Sequence, residues 1–339
     1  MGQDPKVTDV PAARAAISSP GSVAPRTRAG RTLSIVIPMH NEAEVLDLLF
    51  SRLDTALGGL GVALEIICVD DGSRDDTLER LRARTPADPR LRLIALSRNF
   101  GKEAALTAGI DAATGDMVAP IDADLQDPPE LIAEFVALWE QGYDVVYGMR
   151  ADRGSDSWLK RVTAEGFYKV FNSMSASPIP ASAGDFRLMD RAVVDALKRL
   201  PERNRFMKGL FAWVGYKQVG VPYVRPARAA GTTSWRYLQL WRFALDGITS
   251  FSTAPLRVWT SVGLASAGLA LLAAIALITR VMLLGREVPG YASLMVVVLF
   301  SFAGQMVAFG VLGEYIGRLY DEVKGRPLYL VRERVGFEA

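Results

Sequence analysis

The sequence predicts an α/β protein: a mostly parallel sheet with helices on both faces, followed by interfacial helices and two transmembrane helices. Short continuous apolar runs alternate with helical patterns over residues 33–147. Polar residues gather where those runs end. Two long uncharged stretches follow, Val258–Thr279 and Val288–Gly313.

Residues 1–30 are rich in Pro, Ala, Ser and Arg. They hold no apolar core, which excludes a secretory signal and reads as a disordered tail. The strands then follow as "LSIVI" (33–37), "LEIICV" (64–69), "LRLIAL" (91–96), "DMVAPI" (116–121) and "YDVVYG" (143–148). Helical patterns fill 42–57, 75–84, 101–113 and 128–140. Continuous apolar strands alternating with helices mean a parallel sheet covered on both faces. The lone cysteine, Cys68, lies inside the second strand and reads as a small buried hydrophobe. A single histidine, His40, excludes a multi-histidine metal site within one chain. The formal charge of +2 over 339 residues argues against a nucleic-acid partner.

In such sheets ligands bind outside the carboxyl ends of the strands. Here those ends read "PMHNE" (38–42), "DDGSRDD" (70–76), "SRNFGK" (97–102) and "DADLQD" (122–127). Neither G-x-G-x-x-G after the first strand nor G-x-x-x-x-G-K-[ST] occurs, so a bound phosphate needs another counter-charge. Asp122 and Asp124, one residue apart, can converge on Mg²⁺ or Mn²⁺, which fill their remaining positions with water and substrate phosphate. The competing role for acids here is to cap the helix that follows. Asp127, directly before Pro128, takes that capping role.

Each apolar run suffices for a helix of about 20 residues, enough to cross a hydrocarbon core roughly 30 Å thick. Both exceed ordinary core helices, which weighs against a buried soluble hairpin. Arg225, Arg228, Arg236, Arg242 and Arg257 precede the runs; Arg318, Lys324, Arg326, Arg332 and Arg334 follow them. The positive-inside rule puts both flanks in the cytoplasm. Residues 157–174 and 234–251 carry apolar stripes edged with basic and aromatic residues, suited to a membrane interface or to a core face.

"IVIPMHNEAEVL", "VDDGSRDDT", "RNFGKEAAL" and "IDADLQDPPE" resemble the family 2 glycosyltransferases of GT-A fold. The nearer likeness is to bacterial polyprenyl-phosphate glycosyltransferases, relatives of dolichol-phosphate mannose synthase. It continues through "GDFRLMDR" (184–191), "NRFMKGL" (204–210), "LDGITSFSTAPLR" (245–257) and "GEYIGRLYDEVKGRP" (313–327). The resemblance implies a catalytic domain over 31–230, an interfacial amphipathic helix over 231–256, transmembrane helices within 257–317 and a cytoplasmic tail over 318–339. It implies transfer of a hexose from a nucleotide-diphosphate sugar, of the UDP-glucose kind, to polyprenyl phosphate of the undecaprenyl kind. The place would be the cytoplasmic face of the bacterial inner membrane, the chemistry a metal-assisted inverting displacement and the assembly a homo-oligomer.

Carried over by motif, Pro38, Asn41, Glu42 and Asp70 line base and ribose, with Asp71 supporting them. Arg98 and Lys102 face the diphosphate, and Asp122, Asp124 and Gln126 surround the metal. Asp185 matches the position usually given to the catalytic base; Arg187, Arg205 and Arg228 fall near the acceptor phosphate. Relatives often read G-x-[ST]-K-[YW] where this chain reads "GTTSW" (231–235), with Ser234 in place of the lysine. An acceptor phosphate, with a second pKa near 6, is mostly a dianion at neutral pH. Asp185 could therefore serve as a base or as a positioning group.

A processive polysaccharide synthase would carry Q-x-x-R-W and more apolar spans. A transporter or scaffold is disfavoured because the spans hold no ionisable residue, Gln305 being their most polar side chain. The strand-end site is complete before residue 206, so a chain cut after Ser252 is expected to bind donor.

Overall fold

The computed structural model describes residues 25–150, 183–203, 205, 207–224, 254–284 and 290–337. The nucleus is the expected one. Strand β1 (Thr32–Met39) pairs parallel with β2 (Ala63–Asp70) and β4 (Met117–Pro120), and β2 pairs parallel with β3 (Leu91–Leu96). Leu33, Ile35, Val36 and Ile37 are all 0 % exposed, so both faces of β1 are covered, which is why its apolar run does not alternate.

Beyond β4 the sheet becomes mixed. β5 (Val145–Arg150) does not join β4; β6 (Ala183–Asp190) is inserted between them, antiparallel to both. β7 (Gln218–Tyr223) lies parallel outside β5. With β8 (Val331–Val335) the order is β7-β5-β6-β4-β1-β2-β3-β8.

The helices of this unit are α1 (Leu46–Leu57), α2 (Thr77–Arg84), α3 (Lys102–Ala112), α4 (Ile132–Glu140), α5 (Arg191–Lys198) and α6 (Met207–Trp213). Helix α1 buries Leu46, Leu49, Phe50, Leu53 and Leu57, one stripe at helical spacing. Helix α3 lies close on the sheet through Gly109, where an added Cβ would come 2.3 Å from Val36 Cγ1. That contact fixes the helix whose first residue is Lys102.

Both predicted tails need correction. Arg26 donates to the Tyr143 carbonyl at 2.9 Å and pairs with Asp144 at 2.5 Å, and Arg28 pairs with Glu140. Residues 25–30 therefore belong to the folded unit. At the other end, α7 (Ala254–Leu284) and α8 (Tyr291–Lys324) overrun the expected spans. At 1.5 Å per residue they are about 46 and 51 Å long, well beyond a hydrocarbon core of roughly 30 Å. Helix α8 runs through Glu314 and Arg318, paired at 3.0 Å, and stops at Gly325, whose φ of 66° is left-handed.

These helices are long and apolar enough to cross a membrane, and their apolar windows are 0 % buried. A hairpin hidden in a soluble core would be covered, so that reading is set aside. Residues 157–174 and 234–251 lie outside the described residues.

The chain then returns to the sheet. β8 pairs antiparallel with β3, setting Ile94 opposite Arg334 and Ala95 opposite Glu333. Arg82 forks onto Glu333, Ser97 N–H donates to the Leu330 carbonyl at 2.9 Å, and Tyr329 donates to Asp111 at 2.9 Å. The expected cytoplasmic tail is thus an edge strand of the catalytic sheet. A cut after Ser252 would remove this strand together with the spans.

Candidate active site

The strand-end loops are stitched to one another by side chains. Asn41, after β1, sits at φ 58° and accepts the Arg74 N–H at 2.8 Å, while its own N–H donates to Ser73 Oγ at 2.9 Å. Glu42 N–H donates to Thr77 Oγ1 at 2.8 Å. Asp70 is buried and accepts the Ser73 N–H at 3.3 Å. Asp71 reaches the next loop, accepting Phe100 N–H at 2.7 Å and Gly101 N–H at 2.8 Å. Gly72 makes that approach possible: its φ is +67°, and a Cβ there would lie 2.6 Å from Asn99 N. Asp71→Ala should cost about 1–3 kcal/mol by leaving two N–H groups unmet. Thermal unfolding would read this, and an unchanged midpoint would contradict the clamp.

Those clamps fix the start of α3 and hence Lys102. Its ammonium lies 2.7 Å from Asp122 Oδ1 and 3.1 Å from Asp185 Oδ2, joining the ends of β4 and β6. Burial opposes the charge on Lys102, but Asp185 and Asp122 outweigh it and raise its pKa. Burial also acts to raise the Asp185 pKa; Lys102 and Lys208 outweigh that and hold it well below the usual carboxylate range. Asp122, Lys102, Asp185 and Pro38 line one small pocket.

The same pocket takes Asp127, against expectation. Asp127 does not cap: the turn Pro129–Leu131 has Pro128 at its cap position and no side-chain cap. Asp127 is instead buried and accepts the Tyr223 hydroxyl at 2.8 Å. In the same loop Asp124 Oδ1 accepts the Gln126 N–H at 3.1 Å, around Leu125 at φ 57°. A bulky residue in that conformation is strained, and such strain gathers at functional loops. Leu125 is 2 % exposed, so its side chain anchors the loop that carries Asp124 and Gln126.

Among the described residues no three His, Cys, Asp or Glu side chains converge as a metal cluster. The donors offered by Asp122, Asp124 and Gln126 are nevertheless all oxygen, the set a hard divalent ion prefers. Asp122 and Asp185 already hold a cation between them, in the form of the lysine ammonium. The residues fit such an ion.

The other assigned cations are held by contacts of their own. Arg98 stacks on Phe100 at 3.9 Å and donates to the Asn99 carbonyl. Arg187 is buried, stacks on Phe211 at 3.7 Å and donates to the Gly184 carbonyl at 2.7 Å. Burial lowers its pKa to about 10. As placed, it acts on Asp185 through its charge, and an arriving lipid phosphate would meet it only after rearrangement. Arg205 spends its donors on the Leu200 and Glu202 carbonyls, closing the turn before α6. Arg228 lies outside the described residues. Sequence reasoning missed Glu103, Lys208 and Tyr223. The first two fall inside quoted motifs, "RNFGKEAAL" and "NRFMKGL", so position was available and only the role was not.

The family model described as "Glycosyl transferase family 2" matches residues 34–198, the segment that holds Asp122, Lys102 and Asp185. An uncharacterized glycosyltransferase of Synechocystis sp. is 56 % identical over 306 residues, covering 90 % of this chain and 96 % of that protein. The chain belongs to glycosyltransferase family 2. Among its family 2 relatives is the SfII prophage-derived bactoprenol glucosyl transferase of Shigella flexneri, 46 % identical over 89 % of this chain and 97 % of that protein. The prophage bactoprenol glucosyl transferase homolog of Escherichia coli is also 46 % identical, over 88 % of this chain and 98 % of that protein. These matches run nearly the length of the relatives. The protein is a glycosyltransferase with an α/β catalytic sheet and a pair of long apolar helices.

Proposed function

We propose that this glycosyltransferase moves a hexose from a nucleotide-diphosphate sugar to polyprenyl phosphate at the membrane. One observation carries the reading: the Lys102 ammonium bridges Asp122 and Asp185 in a pocket at the carboxyl edge of the sheet. The names of the relatives point to glucose as the sugar and a bactoprenol-type acceptor. The donor is taken as UDP-glucose. The site is assigned to the cytoplasmic face of the inner membrane, following the basic flanks of the spans.

Asp70 and Asn41 shape the loops that receive the nucleoside. Arg98 and Lys102 meet the diphosphate. Asp122, Asp124 and Gln126 would hold Mg²⁺ or Mn²⁺, which supplies charge neutralisation of the departing diphosphate. The acceptor phosphate oxygen forms the new bond to the anomeric carbon as the bond to the diphosphate breaks, with inversion. The electron pair leaves on the diphosphate, where Lys102 can follow it from Asp122.

The Lys102 and Lys208 charges hold Asp185 ionised in the resting site, and its depressed pKa makes it a weak base. The acceptor, with a second pKa near 6, needs no base once it is a dianion. Asp185 is therefore assigned to positioning. Asp185→Asn should lower kcat by about 10²-fold yet keep the acidic limb of the pH profile near pH 6. A limb present in the wild type and lost in the variant would make Asp185 a base.

The direct test offers labelled nucleotide sugars with polyprenyl phosphate to the detergent-solubilised chain and reads label in the organic phase. Label released only as free sugar would reject the acceptor.

A further inference from the structure

Beside the lysine bridge, the site contains carboxyl oxygens that have no hydrogen-bond partner among the described residues. Oε2 of Glu103 and Oδ1 of Asp185 are both sealed from solvent without a hydrogen-bond partner. Glu103 is the second residue of α3, next to Lys102. The charges around it are those of Asp185, Lys102, Lys208 and Asp122, drawn from α3, α6 and the ends of β4 and β6. Burial first, and the Asp185 charge second, push its pKa upward.

An orphaned polar group of this kind costs about 1–3 kcal/mol, and native proteins leave few of them. Two of them beside the lysine bridge call for a ligand that brings hydrogen-bond donors. Phosphates bring negative oxygens, which the ionised Asp185 repels. The nucleoside belongs to the Asn41 and Asp70 loops. What remains is the sugar, whose hydroxyls each carry a proton to donate.

We propose that Glu103 is a specificity-determining residue that, with the free oxygen of Asp185, takes hydrogen bonds from the hydroxyls of the donor hexose; this rests on the nucleotide-sugar reading above. The pair then does two jobs. Asp185 fixes Lys102 through one oxygen and the sugar through the other. Glu103 adds a second contact, which makes a missing or inverted hydroxyl costly because a buried acceptor is again left unmet.

The test uses the full chain in detergent, with UDP, UDP-glucose and the monodeoxy analogues of UDP-glucose as probes in titration calorimetry. Glu103→Ala should bind UDP within about twofold of wild type but UDP-glucose about tenfold more weakly, one lost hydrogen bond. At least one deoxy analogue that wild type binds about tenfold worse than UDP-glucose should lose nothing further in the variant. Glu103→Met, which keeps the volume but carries no oxygen acceptor, should shift in the same direction if the alanine form is unstable.

Equal weakening of UDP and UDP-glucose would assign Glu103 to packing and overturn the proposal. So would unchanged UDP-glucose affinity, or deoxy penalties that persist in full in the variants. If the wild-type chain binds UDP-glucose while the variants are unaffected, only the Glu103 assignment falls. If the wild type binds neither UDP nor UDP-glucose, the donor reading falls and takes this one with it.

Discussion

Asp122→Asn is expected to reduce transfer by at least about 10³-fold, the upper range for removing one preorganised electrostatic group. The variant should still fold. Asp122 lies in the pocket rather than the apolar core, and its side chain is 24 % exposed. Two losses combine in it. The loop gives up a carboxylate ligand for a divalent ion, and Lys102 is left with Asp185 as its carboxylate partner. That draws the ammonium toward Asp185 and away from the diphosphate. Asp124→Asn should match it in activity, because the amide oxygen can keep the Gln126 N–H bond but cannot supply the charge. Chelator should bring the wild type down to the level of both variants and change neither further. Either variant working at full rate in chelator would end the divalent-ion reading. A lowered thermal midpoint in Asp122→Asn would show that the loss was structural.

The parallel half of the sheet was legible because burial on both faces writes itself as uninterrupted apolar runs, as in β1 and β2. The site loops were legible for the same reason, since each begins where such a run stops. β8 was not. Its sequence, "VRERV", alternates exposed and half-buried positions and looks like a charged tail. What makes it a strand is the open edge of β3, more than two hundred positions earlier, and no local window contains that edge. Asp127 failed similarly. A carboxylate before Pro-Pro satisfies every local capping rule, yet Tyr223, 96 positions later, claims it. The orphan oxygens of Glu103 and Asp185 are likewise a property of packing, since a sequence shows which groups are polar and not which are met. The bulk of Leu125 hid the left-handed turn that glycine or asparagine would have announced.

The β8 pairing also changes how the catalytic domain can be freed from its membrane helices. The catalytic unit comprises Met1–Asn172, Ser177–Tyr237 and Pro327–Ala339, and Ser173–Ala176 with Leu238–Arg326 form the other unit. A chain that leaves a sheet and returns to it can cross a bilayer only an even number of times, which supports the proposed placement of both flanks on one face.

A chain cut after Ser252 is therefore expected to be unstable. It loses the β3–β8 ladder, at about 0.5–1.5 kcal/mol net for each bond, against a total stability of about 5–15 kcal/mol. It also loses the Arg82–Glu333 fork and exposes the edge of β3 to other chains. Replacing 238–326 by a flexible Gly/Ser linker should instead keep the sheet whole. That form should be soluble, bind UDP-glucose within about threefold of the full chain and glycosylate a short water-soluble polyprenyl phosphate. On long-chain acceptor in vesicles it should fall by about 10²-fold or more, because anchoring no longer concentrates the site at the surface that holds the phosphate. Equal stability of the two fragments would show that β8 is dispensable. Full activity of the linker form on vesicles would show that the hairpin serves something other than access to the acceptor.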